Sequence, residues 1–157
     1  MAATDVVDQL LNLSTTDRLA VYNKLKPAEM QAIDRLIEQR LSNPFLRFED
    51  DPDGFVEIGL GEHLWSKQRQ ILESVRDNKR TAVPACHALG KSHLAARAVA
   101  WWVSVHPVGT AMAITTAPSF RQVRSILWSH IRRLHGRRDL IGETTQIEWK
   151  IDGDLVA

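Results

Sequence analysis

The segment "PACHALGKSH", residues 84–93, carries the residue types from which proteins build a phosphate-binding loop. Gly90, Lys91 and Ser92 match the end of the pattern G-x-x-x-x-G-K-[ST]. Ala85 stands where the first glycine of that pattern belongs, which costs backbone freedom but removes no side chain that would contact phosphate. Backbone N–H groups at a helix N-terminus attract phosphate, the lysine adds positive charge and the serine hydroxyl can bind Mg²⁺. The alternative is an accidental Gly-Lys-Ser at a helix start.

The elements predicted around this loop have the strand–loop–helix order that a phosphate-binding loop requires. A short apolar run at residues 80–85 predicts a buried strand, and residues 90–105 predict a helix. A second strand over residues 110–117 and a long helix over residues 119–136 follow. With a further helix over residues 64–78, we expect an α/β fold of the P-loop NTPase type, an incomplete parallel sheet flanked by helices.

A small helical segment is predicted before the part of the chain that carries the loop. Apolar residues recur at helical spacing over residues 4–41, and Ser14 with Asp17 forms the pattern of a capping box. The following "FEDDPDGF" has the composition of a surface connection. We therefore divide the chain into an N-terminal helical segment, residues 1–48, and the N-terminal portion of a P-loop ATPase domain, residues 49–157.

Composition and charge restrict the class of protein. A net charge of +1 over 157 residues gives no general signal for nucleic acid, so any basic surface must be local. The single cysteine, Cys86, excludes an internal disulfide and a cysteine-based metal cluster. The longest apolar run, residues 94–105, is interrupted by Arg97 and is too short to span a bilayer, and no secretory signal opens the chain. We expect a cytoplasmic protein with no membrane partner.

Two further predictions concern the C-terminal half. Asp152-Gly153 lies between two apolar runs and predicts a β-hairpin. Trp101, Trp102 and Trp128 are predicted to be core residues.

Three segments in order resemble the N-terminal part of the large terminase subunit, the ATPase that drives DNA into the procapsid of tailed phages. They are "LWSKQRQILESV" (64–75), "ACHALGKS" (85–92) and "AITTAPSFRQVRSILWSHI" (113–131). Large terminases commonly lack the first glycine of the loop, which would account for Ala85. The resemblance implies the ATP-binding part of a motor that couples ATP hydrolysis to the packaging of double-stranded DNA, with ATP and Mg²⁺ as cofactors.

The resemblance also implies roles for single residues. Gln68 matches the family's adenine-recognising glutamine, the alternative being a solvated helix residue. Trp65 could stack on the base or pack in the core. Lys91 takes the catalytic phosphate role and Ser92 the Mg²⁺ role. The implied nucleotide-binding loop consists of Ala85, Cys86, His87, Ala88, Leu89, Gly90, Lys91 and Ser92.

His87 stands where some large terminases carry an arginine that reaches the γ-phosphate. A neutral imidazole donates one hydrogen bond but supplies no fixed charge. His87 is therefore a candidate catalytic residue, with a loop histidine that only satisfies local backbone as the alternative. Cys86 beside it is predicted to be a small buried filler at the strand end rather than a reactive thiol.

The segment "TTAPSFRQV" follows the second predicted strand, at the edge where parallel sheets bind ligands. Its polar candidates are Thr116, Ser119 and Gln122. Arg121, Arg124 and Arg132 lie on the helix that follows, where they could contact DNA phosphates, a neighbouring subunit or only solvent.

Hydrolysis in this class also needs an acidic pair after a third apolar strand, and the sequence shows no such strand. We therefore expect an ATPase in the full-length protein and little activity in this chain alone. The implied partners are double-stranded DNA, the small terminase subunit, the portal or procapsid and further copies in a homo-oligomeric ring, in the host cytoplasm. The alternatives are a helicase-like nucleic-acid-stimulated ATPase and a truncated, non-catalytic interaction module.

Overall fold

The structure is a computed structural model that describes residues 13–86, 89–138 and 140–157. The chain divides into two compact units, Met1–Pro44 and Phe45–Ala157, where the sequence-based division lies between residues 48 and 49. Among the described residues, no helix combines the length and the apolar composition that a bilayer crossing requires.

The described part of the first unit contains the helices α1 (Thr15–Tyr22) and α2 (Pro27–Ser42). Ser14 caps α1, because its Oγ accepts a hydrogen bond from the N–H of Asp17 at 3.2 Å and donates one to Asp17 Oδ2 at 2.6 Å. The Ser14 cap, one of the two bonds of the predicted capping box, is therefore confirmed. The predicted start of this helical segment, residues 4–12, lies outside the described residues.

Helices also dominate the second unit. A 3₁₀ turn at Leu46–Phe48 precedes the short α3 (Pro52–Gly54), which continues into a π-helical turn at Phe55–Gly59. The two helices that frame the candidate loop are α4 (Ser66–Asp77) and α5 (Lys91–Val105). The last helical stretch consists of α6 (Phe120–Gln122), a π-helical turn at Val123–Leu127, and α7 (Trp128–His135). The three helices predicted for this part of the chain are confirmed.

The core of the second unit includes the packing of α5 against α7. Trp101 and Trp128 are each 2 % exposed, and Trp149 is fully buried. Trp101 Nε1 donates a 2.8 Å hydrogen bond to the carbonyl oxygen of Phe48, which fixes α5 against the start of the unit. Trp102 is 39 % exposed, so its prediction as a core residue is wrong, because consecutive residues of a helix lie on different faces.

The sheet of this unit is small and antiparallel. It has three strands in the order β1 (Glu143–Thr144), β2 (Trp149–Ile151), β3 (Asp154–Leu155). Asp152 and Gly153 form the turn between β2 and β3 with φ of 52° and 89°, the two positive values that such a two-residue turn requires. The predicted hairpin is confirmed.

The predicted P-loop parallel sheet is wrong. Neither residues 80–85 nor residues 110–117 form a strand, and the described strands all lie within Glu143–Leu155 and pair antiparallel. A parallel sheet requires apolar strands covered by helices on both faces. Val83 is 39 % exposed and Ile114 is 81 % exposed, so these two apolar runs lack that cover. An apolar run alone does not specify a strand.

Candidate phosphate-binding site

The candidate loop ends at the N-terminus of α5. Gly90 immediately precedes the helix and has φ of 79°, the left-handed region that favours glycine. The N–H of Leu94 donates a 2.9 Å hydrogen bond to the carbonyl oxygen of Gly90. Gly90 has no side chain with which to cap α5, so the N–H groups of the first turn receive no cap from the residue that precedes the helix.

Lys91 reaches back from the first turn of α5 across the loop. Its Nζ donates hydrogen bonds to the carbonyl oxygens of Ala85 at 2.7 Å and Cys86 at 2.6 Å. An ammonium group has three donors, so one remains for an anion. Cys86 is exposed, so its prediction as a buried filler is wrong.

Gln68 of α4 lies next to this loop and is half-buried. Its Oε1 accepts a 3.3 Å hydrogen bond from the N–H of Trp65, and a Cβ atom placed on Gly90 would lie 3.2 Å from its Nε2. The amide nitrogen therefore adjoins the loop while the oxygen caps α4. Trp65 is 45 % exposed and is not a core residue.

A cavity of about 630 Å³ lies between α4 and α5. This volume is within the range of small-molecule sites, roughly 300–1,000 Å³. Apolar side chains such as Leu72 and Leu94 form most of its walls, and Trp65, Gln68 and Lys91 also line it. The cavity therefore offers an apolar interior beside polar groups of the candidate loop.

A second cavity, of about 310 Å³, also borders the first turn of α5. Lys91 and Ser92 line it together with Thr116 and Gln122. The loop and the segment "TTAPSFRQV", which are separate in sequence, therefore meet here. Ser119 has a local contact, because its Oγ accepts a 3.4 Å hydrogen bond from the N–H of Gln122 at the start of α6.

The other residues of the predicted loop contribute in different ways. His87 and Ala88 lie outside the described residues, so the structure does not place them. Leu89 is 43 % exposed and lines the larger cavity. Ser92 is half-buried and lines the smaller cavity. A serine hydroxyl at this position of a phosphate-binding loop is a suitable ligand for Mg²⁺ beside a bound phosphate.

The predicted arginines differ in their surroundings. Arg121 and Arg124 are exposed, whereas Arg132 donates a hydrogen bond to the carbonyl oxygen of Gln146. Phe120, which the helical pattern places on the apolar face, is 63 % exposed. Arg132 is thus held by the protein itself, and Arg121 and Arg124 remain open to solvent.

A cluster of ionisable side chains on α5 was not predicted from the sequence. Arg97 is 7 % exposed and donates from Nε to Glu62 Oε2 and from Nη2 to Glu62 Oε1, both at 2.8 Å. His93 Nε2 lies 3.6 Å from Glu62 Oε2. The available signal was Arg97 within an apolar run, with His93 one helical turn before it on the same face.

The cluster shifts the pKa values of three groups. Hydrogen bonds from Arg97 lower the pKa of Glu62 below its usual value. Burial, and then the charge of Arg97, lowers the pKa of His93. Burial also lowers the pKa of His130, whose ring centroid lies 6.2 Å from that of His93. Both imidazoles therefore favour the neutral form at neutral pH, and Arg97 is the cation that compensates Glu62.

Comparison with protein-family models, curated proteins and solved structures finds no match to this chain. The resemblance to large terminases remains a resemblance of three sequence segments.

Proposed function

We propose that this chain binds ATP with Mg²⁺ at the loop that ends at Gly90 and at the first turn of α5. The observation that supports this most directly is the position of Lys91 and Ser92 at the start of a 15-residue helix that follows a glycine, which has no side chain to cap it. The N-terminus of a helix attracts an anion through the N–H groups of its first turn and through its dipole. Lys91 adds a positive charge, and the Ser92 hydroxyl suits Mg²⁺.

The base and sugar of the nucleotide would enter the larger cavity, between α4 and α5. Gln68 and Trp65 line that cavity next to the loop. Gln68 Nε2 can donate to an adenine ring nitrogen, and Oε1 retains a lone pair beside its bond from Trp65. The exposed indole of Trp65 offers a surface on which a base can stack.

The terminal phosphate would face the smaller cavity. Thr116 and Gln122 line it opposite the loop and supply uncharged donors to phosphate oxygens. These two residues therefore extend the proposed site beyond the predicted loop.

The wider role we propose is ATP-driven packaging of double-stranded DNA into a phage procapsid, which the three resembling segments support. In that role the chain would act with a small terminase subunit, the portal and further copies in a ring. Arg121 and Arg124 are exposed cations suited to DNA phosphates or to a neighbouring subunit. The residues that line the two cavities in the described part of the chain include no carboxylate, and the proposal assigns them binding rather than hydrolysis.

The proposal is tested by titrating a fluorescent ATP analogue into the purified chain with Mg²⁺. We expect saturable binding that unlabelled ATP displaces and adenosine does not, because the phosphates carry the contacts with Lys91 and Ser92. Binding that ATP fails to displace would contradict the proposal. Phosphate release should stay at background, and steady turnover would favour a helicase-like ATPase whose catalytic acid lies outside the predicted site.

A further inference from the structure

A bidentate ion pair joins α5 to the segment that precedes α4. Glu62 accepts two hydrogen bonds of 2.8 Å from Arg97, and the guanidinium of Arg97 is buried. Arg97 Nη1 also donates a 3.3 Å hydrogen bond to the carbonyl oxygen of His93. The Glu62 carboxylate thus binds the second turn of α5 through Arg97. Arg97 in turn contacts the backbone of the first turn.

This contact lies on the side of α5 away from the smaller cavity. A helix turns by about 100° per residue, so His93 and Arg97 share one face. Lys91, Ser92 and Ala95 line the smaller cavity on a roughly opposite face. The ion pair with Glu62 therefore contacts the face of α5 opposite the face that carries the proposed phosphate contacts.

We infer that Glu62 is a positioning residue for the first turn of α5, because its pair with Arg97 fixes the rotation of that helix about its axis. A planar, bidentate pair restrains orientation more strongly than a single contact between point charges. The rotation of α5 in turn sets the directions in which Lys91 and Ser92 project. The inference rests on the proposed function for its role in binding, and its structural part can be measured separately.

The test compares Glu62→Gln with a matched control, Glu57→Gln. Glu57 is also a half-buried glutamate paired with an arginine, Arg69, but that arginine belongs to α4, which carries none of the proposed phosphate contacts. At a temperature where circular dichroism shows both variants folded, Glu62→Gln should weaken binding of the ATP analogue roughly tenfold, and Glu57→Gln should change it less than about twofold. Equal losses, or no loss, would overturn the inference.

A second variant tests geometry against charge. Arg97→Lys keeps the positive charge but cannot form the bidentate pair, so it should weaken binding about as much as Glu62→Gln does. It also serves if Glu62→Gln fails to fold. Binding at the parent level in a folded Arg97→Lys variant would overturn the inference, because a purely electrostatic role would survive this change.

Amide hydrogen exchange separates this inference from the proposed function. Peptides that cover residues 91–97 should exchange faster in Glu62→Gln than in the parent or in Glu57→Gln. This readout needs no nucleotide, so a parent that fails to bind ATP would contradict the proposed function and leave the positioning role measurable. Unchanged exchange over residues 91–97 would overturn the positioning role itself.

Discussion

The ammonium group of Lys91 donates a 2.7 Å hydrogen bond to the carbonyl oxygen of Ala85, the residue that replaces the first glycine of the usual loop pattern. A carbonyl oxygen is supplied by any residue, so the replacement of glycine does not remove this contact. The φ of Ala85 is not positive, so its backbone conformation does not favour glycine. The hydrogen bond between Lys91 and the backbone of the loop therefore does not require that glycine.

Restoring the glycine should not improve the site. Ala85→Gly gives the unfolded chain more freedom at a position that does not need it, so the free energy of unfolding should fall by about 0.4–1 kcal/mol. Affinity for the ATP analogue should stay within about twofold of the parent. Urea unfolding and nucleotide titration measure the two effects. A clear gain in affinity would show that Ala85 distorts the loop.

The glycine that precedes α5 should be needed both for folding and for binding. Gly90→Ala places a side chain at φ of 79° and 3.2 Å from Gln68 Nε2, so it should cost about 1–2 kcal/mol of unfolding free energy and weaken nucleotide binding. Gly109 is a matched control, since its φ is 81° and no atom lies within 4 Å of an added Cβ. Gly109→Ala should cost stability without loss of affinity. Parallel losses of affinity would contradict a role for Gly90 in the site.

Stability should decrease as the pH falls below about 6.5. The pKa values of His93 and His130 lie below their usual 6.5 in the folded chain, so the unfolded chain takes up protons first. Their contribution is complete above that pH and is lost as the pH falls through the folded-state values. Glu62 acts in the same direction at lower pH, because its contribution is present above its usual pKa of 4.5 and is lost below it.

Urea unfolding at about pH 7.5 and about pH 5.5 measures this loss. His93→Gln should make the difference between the two pH values smaller. His63→Gln is the control, since the side chain of His63 is 85 % exposed. An unchanged pH dependence in His93→Gln would contradict the assignment.

Adjacent tryptophans of α5 should differ in their effect on stability. Trp101→Phe removes one of two donors to the carbonyl oxygen of Phe48, which keeps its 3.1 Å hydrogen bond from the N–H of Asp51. The lost hydrogen bond and the smaller buried ring should together cost about 1–3 kcal/mol. Trp102→Phe changes a side chain that is 39 % exposed and should stay within about 0.5 kcal/mol of the parent. Chemical unfolding of the two variants gives the comparison. Equal costs would show that the Trp101 hydrogen bond contributes little.

Sequence patterns correctly predicted the structural features that depend on residues close together in the chain. The Asp152-Gly153 turn and the Ser14 cap depend on residues a few positions apart, and both were correctly predicted. The helix that begins after Gly90 was correct for the same reason. Features that depend on distant partners were not predicted. Glu62 meets Arg97 only through the packing of the segment before α4 against α5.

The prediction of a parallel sheet was wrong because it was based on apolar composition alone. Val83 and Ile114 belong to apolar runs, yet both are exposed. Neither run is a strand of the described sheet, although the N–H of Ala113 donates one hydrogen bond to the carbonyl oxygen of Val156. The prediction of a surface connection at "FEDDPDGF" was wrong at the two ends of the segment, where residues are buried rather than exposed. Its charged and turn-forming residues predicted a surface connection, whereas Phe48 and Phe55 at its ends are buried, at 4 % and 0 % exposure.

The most direct test of the nucleotide site is a titration of Lys91→Ala with the fluorescent ATP analogue, beside Lys79→Ala. Both variants remove one positive charge from an exposed lysine, but only Lys91 contacts the loop, through Ala85 and Cys86. We predict that Lys91→Ala weakens binding on the order of tenfold or more and that Lys79→Ala binds like the parent. If Lys91→Ala binds as tightly as a parent that binds saturably, the loop does not hold the phosphates and the account is contradicted.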